Sequence, residues 1–214
     1  MASGGLAILG GSWDSLLVLI EYDPHENEVD RRVLKYHRLM KIIRENAYSE
    51  SPLNSRITKV SSFVTKLGGV FSKFDVSRKI AKHHFLEIET ECGHIFTIEK
   101  VTDCILQQSC LRPDAGETPV VRRKRQGETR PREQLVVEDL APRDKTFLDV
   151  IKWIDETGEL KEPYHVLDSN CQDFCKNLWS QLSEMGYPNP AKIGRDSPKK
   201  ASTSSQEGQY FTYE

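Results

Sequence analysis

The spacing of apolar side chains changes several times along this chain, and each change predicts an element. Residues 15–23 read SLLVLIEYD, an apolar run closed by Asp23-Pro24, which predicts a strand or a short buried element. Over 28–46 the positions Val29, Val33, Tyr36, Met40 and Ile43 lie three or four apart with basic residues between them, the pattern of an amphipathic helix. Residues 49–55 are loop by composition. Within 57–82, Val60, Phe63, Val64 and Leu67 also suggest a helix, which Gly68-Gly69 would break or hinge, and Phe71 and Phe74 prolong its apolar face. Such a face either packs on the domain or rests on a membrane surface.

The period then falls to two. HHFLEIET and HIFTIEKV flank Glu91-Cys92-Gly93, with Gly93 where a three-residue hairpin loop favours a left-handed glycine. That register pairs Thr90 with His94, Ile88 with Phe96, Leu86 with Ile98 and His84 with Lys100. Leu86, Ile88, Phe96 and Ile98 then form a core face, with His84 on the same side at the mouth of the hairpin. Glu87, Glu89, Thr97 and Glu99 form the opposite face, which suits solvent. A third strand is expected at 104–109, and another at QLVVEDL (134–140). VVRRKRQ (120–126) is expected to begin as a strand and run into a flexible loop. In TFLDVIKWIDETG, Phe147, Val150, Ile151 and Ile154 have helical spacing, Thr146 and Asp149 are spaced as a cap, and Gly158 ends the helix. YHVLD (164–168) reads as a short strand. Ser169-Asn170 opens a second helix striped by Phe174, Leu178, Leu182 and Met185, which Gly186 and Pro188 stop. Beyond Asn189 the composition is that of a disordered tail.

Composition narrows this only a little. The chain has 214 residues, 37% of them hydrophobic, enough for one folded domain with polar segments beside it. We expect a helical N-terminal extension over 1–79, a domain over 80–187 and a disordered tail over 188–214. Thirty basic residues against 32 acidic ones argue against a general nucleic-acid binder. The run Leu16–Ile20 is far short of the ~20 residues of a membrane span. The first 13 residues carry no Lys or Arg, so a secretory leader is not expected. Five cysteines without paired metal-binding spacing suit a reducing, intracellular setting, with the cytoplasm expected, in which thiols stay free.

Cys171 is the first candidate for chemistry. It falls in the first turn of a helix, where unpaired backbone N–H groups and the helix dipole favour a thiolate. Its place on the buried stripe turns it toward the sheet. A histidine within reach would make it a nucleophile, and His84 on the core face is the natural partner, because side chains alternate along a strand. A small buried hydrophobe at Cys171 and a polar strand start at His83-His84 is the competing reading.

A strand-opening histidine, a long gap, and then Tyr164-His165-Val166-Leu167-Asp168-Ser169-Asn170-Cys171-Gln172-Asp173-Phe174 opening a helix together resemble the permuted papain-like thiol enzymes. That group includes NlpC-type cell-wall hydrolases, lecithin:retinol acyltransferase-like proteins and PPPDE peptidases. The resemblance covers roughly residues 80–186. It implies an α+β fold, a small antiparallel sheet packed on a Cys-bearing helix. It implies a cysteine-dependent hydrolase or acyltransferase acting on a peptide, isopeptide, lipid ester or thioester, with Cys171 attacking the carbonyl and His84 moving the proton. His83 and His94 are the alternative bases. Relatives carry a further group that orients the imidazole; Thr102, Asp103 and Glu99 are candidates here, and Asn170 and Gln172 stand where orienting or oxyanion groups would lie.

Other motifs are weaker. Arg122-Arg123-Lys124-Arg125 fits a nuclear signal, a nucleic-acid contact, a dibasic processing site, or a solvated strand edge or loop. Gly4-Gly5 and Gly10-Gly11 lack the Lys-Ser/Thr and helix of a phosphate loop. His165 reads as a satisfied strand residue. No metal or cofactor is called for. Two further readings stay open: a chemically silent binding or scaffolding module on the same fold, and a membrane-surface protein using residues 57–82.

Overall fold

The computed structural model describes residues 15–48, 50–66, 82–126, 133–140, 142–162, 164 and 170–188. The elements are β1 (Leu16–Tyr22), β2 (Glu28–Leu34), α1 (Leu39–Asn46), β3 (Ile57–Lys66), β4 (Lys82–Thr90), β5 (His94–Lys100), β6 (Cys104–Leu111), α2 (Val120–Gln126), β7 (Gln134–Asp139), α3 (Phe147–Thr157) and α4 (Cys171–Leu182). The strands form one seven-stranded sheet in the order β2-β1-β6-β5-β4-β3-β7. Neighbours are antiparallel except β1 and β6, which run parallel. The class is α+β, and the sheet is mixed and larger than the small antiparallel one expected.

Three expectations for the N-terminal part change. Residues 28–34 form a strand, not the start of a helix; the helix is confined to Leu39–Asn46. Residues 57–66 are a strand between β4 and β7, so this part of 57–82 does not lie on a surface; 67–81 falls outside the described residues. The described part of 1–79 is therefore no helical extension: β1, β2 and β3 belong to the same sheet as the hairpin. The expected strand at 164–168 is described only at Tyr164, and the tail beyond Pro188 lies outside the described residues.

The hairpin keeps the expected register, Leu86 against Ile98 and Ile88 against Phe96, and Gly93 turns with φ 83°. Leu86, Ile88, Phe96 and Ile98 bury against α3 and α4 as the main core, with Phe147, Phe174, Leu178 and Trp179. The opposite face is not solvated. Glu87, Thr97 and Glu99 are 3%, 1% and 4% exposed. At the turn end of this face the cover is α2, which is a helix and not a strand: Val120 and Val121 pack on Ile95 and Cys110. Arg122 forks onto the Glu87 carboxylate at 2.6 and 2.7 Å and lies 4.0 Å over the Phe63 ring. The basic run at Arg122 thus begins as a charge-compensating lid on a buried carboxylate.

The cap on α3 is as expected, a Thr146–Asp149 capping box, with Gly158 left-handed at φ 72°. The helix α4 ends at Leu182, earlier than Gly186, where Ser183 turns its hydroxyl to the Asp139 carboxylate.

Candidate active site

Cys171 is the first residue of α4, and Asn170 caps the helix. The Asn170 Oδ1 accepts the N–H groups of Gln172 at 2.8 Å and Asp173 at 3.1 Å. Two of the four donors every helix start leaves open are thus satisfied. Gln172 and Asn170, expected as oxyanion or orienting groups, are used in building the helix start. The apolar stripe of Cys171, Phe174, Cys175, Leu178 and Leu182 fastens α4 to β4 and β5.

The imidazole that meets this thiol is His83, not His84. His84 does lie on the helix face, 2% exposed, but its Nδ1 is 3.2 Å from the Tyr187 hydroxyl, which is also 2.8 Å from the Ser62 hydroxyl. His83 stands on the other face, where its Nε2 is hydrogen-bonded to the Glu99 carboxylate. The same ring is hydrogen-bonded to the Cys171 side chain.

Alternation along the strand was read correctly; the position of the thiol was not. The β4–β5 ladder registers only from Leu86↔Ile98 to Glu89↔Ile95, while β4 follows β3 as far as Lys82↔Lys66. Residues 83–85 lie beyond the pairing with β5. The backbone N–H of His84 is given to the Cys171 sulfur. A strand N–H points within the plane of its sheet, so the thiol sits level with the strand and can be met from either face. His83 reaches it while sharing a face with Glu99.

The electrostatics follow from this arrangement. Burial pushes the His83 imidazole down, but hydrogen bonds and charge from Cys171 and Glu99 override it and raise it from 6.5 to about 9. Burial pushes the Cys171 thiol up, but the His83 hydrogen bond and charge, the His84 N–H and the Tyr164 hydroxyl bring it below the ordinary thiol value. Both shifts favour an imidazolium–thiolate pair with a carboxylate behind the imidazolium. The Tyr164 hydroxyl points at Sγ from 4.0 Å, and burial together with the Cys171 charge pushes it up to about 12, so it remains a donor.

The remaining candidates lie elsewhere. His94 opens β5 at the far end of the hairpin, stacked on Phe96 and 3.4 Å from the Cys92 sulfur. Thr102 and Asp103 are exposed in the β5–β6 turn. His165 is outside the described residues. Of the three candidate orienting groups, Glu99 alone meets the imidazole. Tyr164 and Tyr187 were not anticipated as site residues. Tyr164 could have been, since it opens the quoted motif seven residues before Cys171; nothing in the spacing of Tyr187 points to His84. Among the described residues no three His, Cys, Asp or Glu side chains converge to hold a metal ion, and no helix is long and apolar enough to cross a membrane.

An acidified thiol, an imidazole and a carboxylate in series define the chemistry available: a nucleophile, a proton carrier and its orienting charge. Compared with known proteins, the chain matches no family model, no curated protein and no solved structure.

Proposed function

We propose that this chain is a cysteine-dependent hydrolase or acyltransferase with a permuted papain-like site, acting on a peptide, isopeptide or acyl ester or thioester. The observation that carries the reading is the Cys171–His83–Glu99 array, with Cys171 at a capped helix start. The histidine precedes the cysteine in the chain, the order of the permuted group. In the proposed reaction the Cys171 sulfur attacks a carbonyl carbon, forming an S–C bond and a tetrahedral oxyanion. The helix-start N–H of Cys171 serves the oxyanion, since the next two are held by the cap. The His83 imidazolium protonates the leaving group, and the neutral ring then takes a proton from water or an acceptor alcohol or amine that releases the acyl group. Glu99 keeps the ring oriented and charged while this happens.

The test is covalent capture. The full chain is incubated with a panel of acyl thioesters, acyl esters and peptide amides, quenched in acid and analysed by mass spectrometry for an acyl adduct on Cys171. The expected result is an adduct in the wild type and in His84→Ala but not in His83→Ala. Cys171 is 4% exposed, as it would also be in a silent binding module on this fold. The absence of an adduct from every member of the panel would hand the conclusion to that second reading.

A further inference from the structure

We propose that Tyr164 is a catalytic residue of the Cys171 site, its phenolic hydroxyl serving as the second donor to the oxyanion beside the Cys171 N–H. The inference rests on the reading of Cys171 as an acyl-accepting nucleophile, and it names a group that stabilises the charge this attack creates.

The helix start is short of donors for a substrate. Asn170 Oδ1 accepts the N–H groups of Gln172 and Asp173 at 2.8 and 3.1 Å, and the Asn170 carbonyl accepts that of Phe174 at 3.1 Å. Of the first four N–H groups of α4, only that of Cys171 is not spent on the cap. The His84 N–H is given to the sulfur itself. Tyr164 supplies what is missing. Its Oη lies 4.0 Å from Sγ with its proton directed at the sulfur, and its oxygen meets the Cys171 N–H. Two donors, one from the backbone and one from a side chain, therefore stand next to each other beside the thiol.

The reach is right for the reaction and poor for the resting state. An oxyanion donor belongs about 2.7–3.1 Å from the oxygen it serves. In the adduct that oxygen is two bonds from Sγ, so a hydroxyl 4.0 Å from the sulfur is within that reach. Toward the sulfur, the same 4.0 Å is the outer limit of a hydrogen bond, and Tyr164 lowers the thiol less than His83 or the His84 N–H does. A donor that is weak toward the thiolate and close to the oxyanion gains its bond in the transition state, which is the condition for lowering a barrier. Tyr164 is half-buried, so that bond forms largely out of water, where it counts for more. Burial and the Cys171 charge push the hydroxyl up to about 12, so it keeps its proton throughout.

In the step, Sγ forms a bond to the carbonyl carbon and the C=O π pair moves onto oxygen. The Tyr164 O–H turns from the sulfur, which has lost its charge, to the oxygen, which has gained it. No proton leaves the phenol. On collapse the pair returns to re-form the carbonyl, the bond from carbon to the leaving group breaks, and the leaving group departs with the electrons of that bond. The Tyr164 O–H is then free to turn back.

The experiment compares two reactions at one sulfur in the full chain. Iodoacetamide alkylates a thiolate without forming an oxyanion. p-Nitrophenyl acetate acylates it through one, and its p-nitrophenolate leaves without needing a proton from His83. Both adducts on Cys171 are followed at pH 7 by acid quench and mass spectrometry. Tyr164→Phe keeps the ring and removes the hydroxyl; it is expected to slow acylation about a hundredfold, the usual loss for one oxyanion donor, and alkylation less than threefold. His83→Ala, which removes thiolate, is expected to slow both alike. A ratio of the two rates that Tyr164→Phe leaves unchanged, whether both hold or both fall, overturns the inference. Faster acylation in Tyr164→Phe also overturns it, because the hydroxyl would then be filling the oxyanion position instead of serving it. A wild type that is alkylated at Cys171 but never acylated fails the nucleophile reading itself, and the inference falls with it.

Discussion

Replacing Glu99 by Gln removes one charge from the site and almost no volume, so it isolates the role given to the carboxylate. Raising an imidazole from 6.5 to about 9 corresponds to roughly 3 kcal/mol of preference for its charged form. Cys171 and Glu99 both supply that preference, against the burial of the ring. If the carboxylate carries about half, its loss withdraws roughly 1–2 kcal/mol, or about a tenfold fall in the imidazolium–thiolate population at neutral pH. The assay is the rate of Cys171 carboxymethylation against pH, in a Cys92→Ser background to remove the exposed thiol, with the His83 ring titration followed by NMR. In Glu99→Gln the His83 inflection should fall by about one pH unit, the Cys171 inflection should rise, and alkylation at pH 7 should slow about tenfold. Glu99→Asp should fall between. A His83 inflection that stays in place, with unchanged alkylation, would show that the carboxylate does not hold the ring and that the array has two members.

Three further outcomes are expected. In Cys171→Ala, Glu99 alone holds the charged imidazole, so the folded chain keeps a proton that the unfolded chain has released above pH 6.5. The His83 contribution is full below that pH and lost as pH rises through the variant's folded value, so the melting temperature should fall as pH rises above 6.5, over a narrower window than the wild-type ring would give because the Cys171 share of its rise is gone. In the wild type the lowered thiol works in the opposite sense, present above the ordinary thiol value and lost as pH falls through its folded one, and thermal melts should give a flatter profile. Tyr187→Phe removes the hydroxyl between Ser62 and His84 and should cost about 1–2 kcal/mol in urea denaturation, with the Cys171 alkylation rate changed less than twofold. Arg122→Ala leaves the Glu87 carboxylate buried without its fork and should cost about 2–3 kcal/mol by the same measurement, since Arg122 is itself a quarter exposed.

The elements legible in the sequence were those whose own residues decide them. The hairpin around Gly93 and the capped helices α3 and α4 have local turn and cap chemistry, and each forms near its expected bounds. What misled was context. The segment at Glu28–Leu34 is an edge strand with most of its side chains exposed, so it carries no core-facing alternation, and the charges that blunt an edge look like a helix surface. The strand β3 is covered on both faces, so Ser61, Ser62, Phe63, Val64 and Thr65 are all buried and their period is lost. Val120-Val121 has strand-like composition, but the apolar patch of Ile95 and Cys110 takes it as a helix. At the site, Cys171 and Glu99 were legible as candidates, and parity placed His83 and His84 on their correct faces. The choice between the two turned on where β4 leaves β5, a property of the ladder that no side chain announces.

The members of the array are made far apart in time. His83 and Glu99 emerge from the ribosome with the hairpin, whose strands are adjacent in sequence and pair locally. Cys171 follows only after α2, β7 and α3, and it reaches the gap beside β4 only when α4 docks. Until then its sulfur has neither the His83 charge nor the His84 N–H, and it is an ordinary thiol, protonated at neutral pH. The lowering of the Cys171 thiol thus depends on α4 being docked, and a chain in which α4 is undocked lacks the His83 charge and the His84 N–H that produce it.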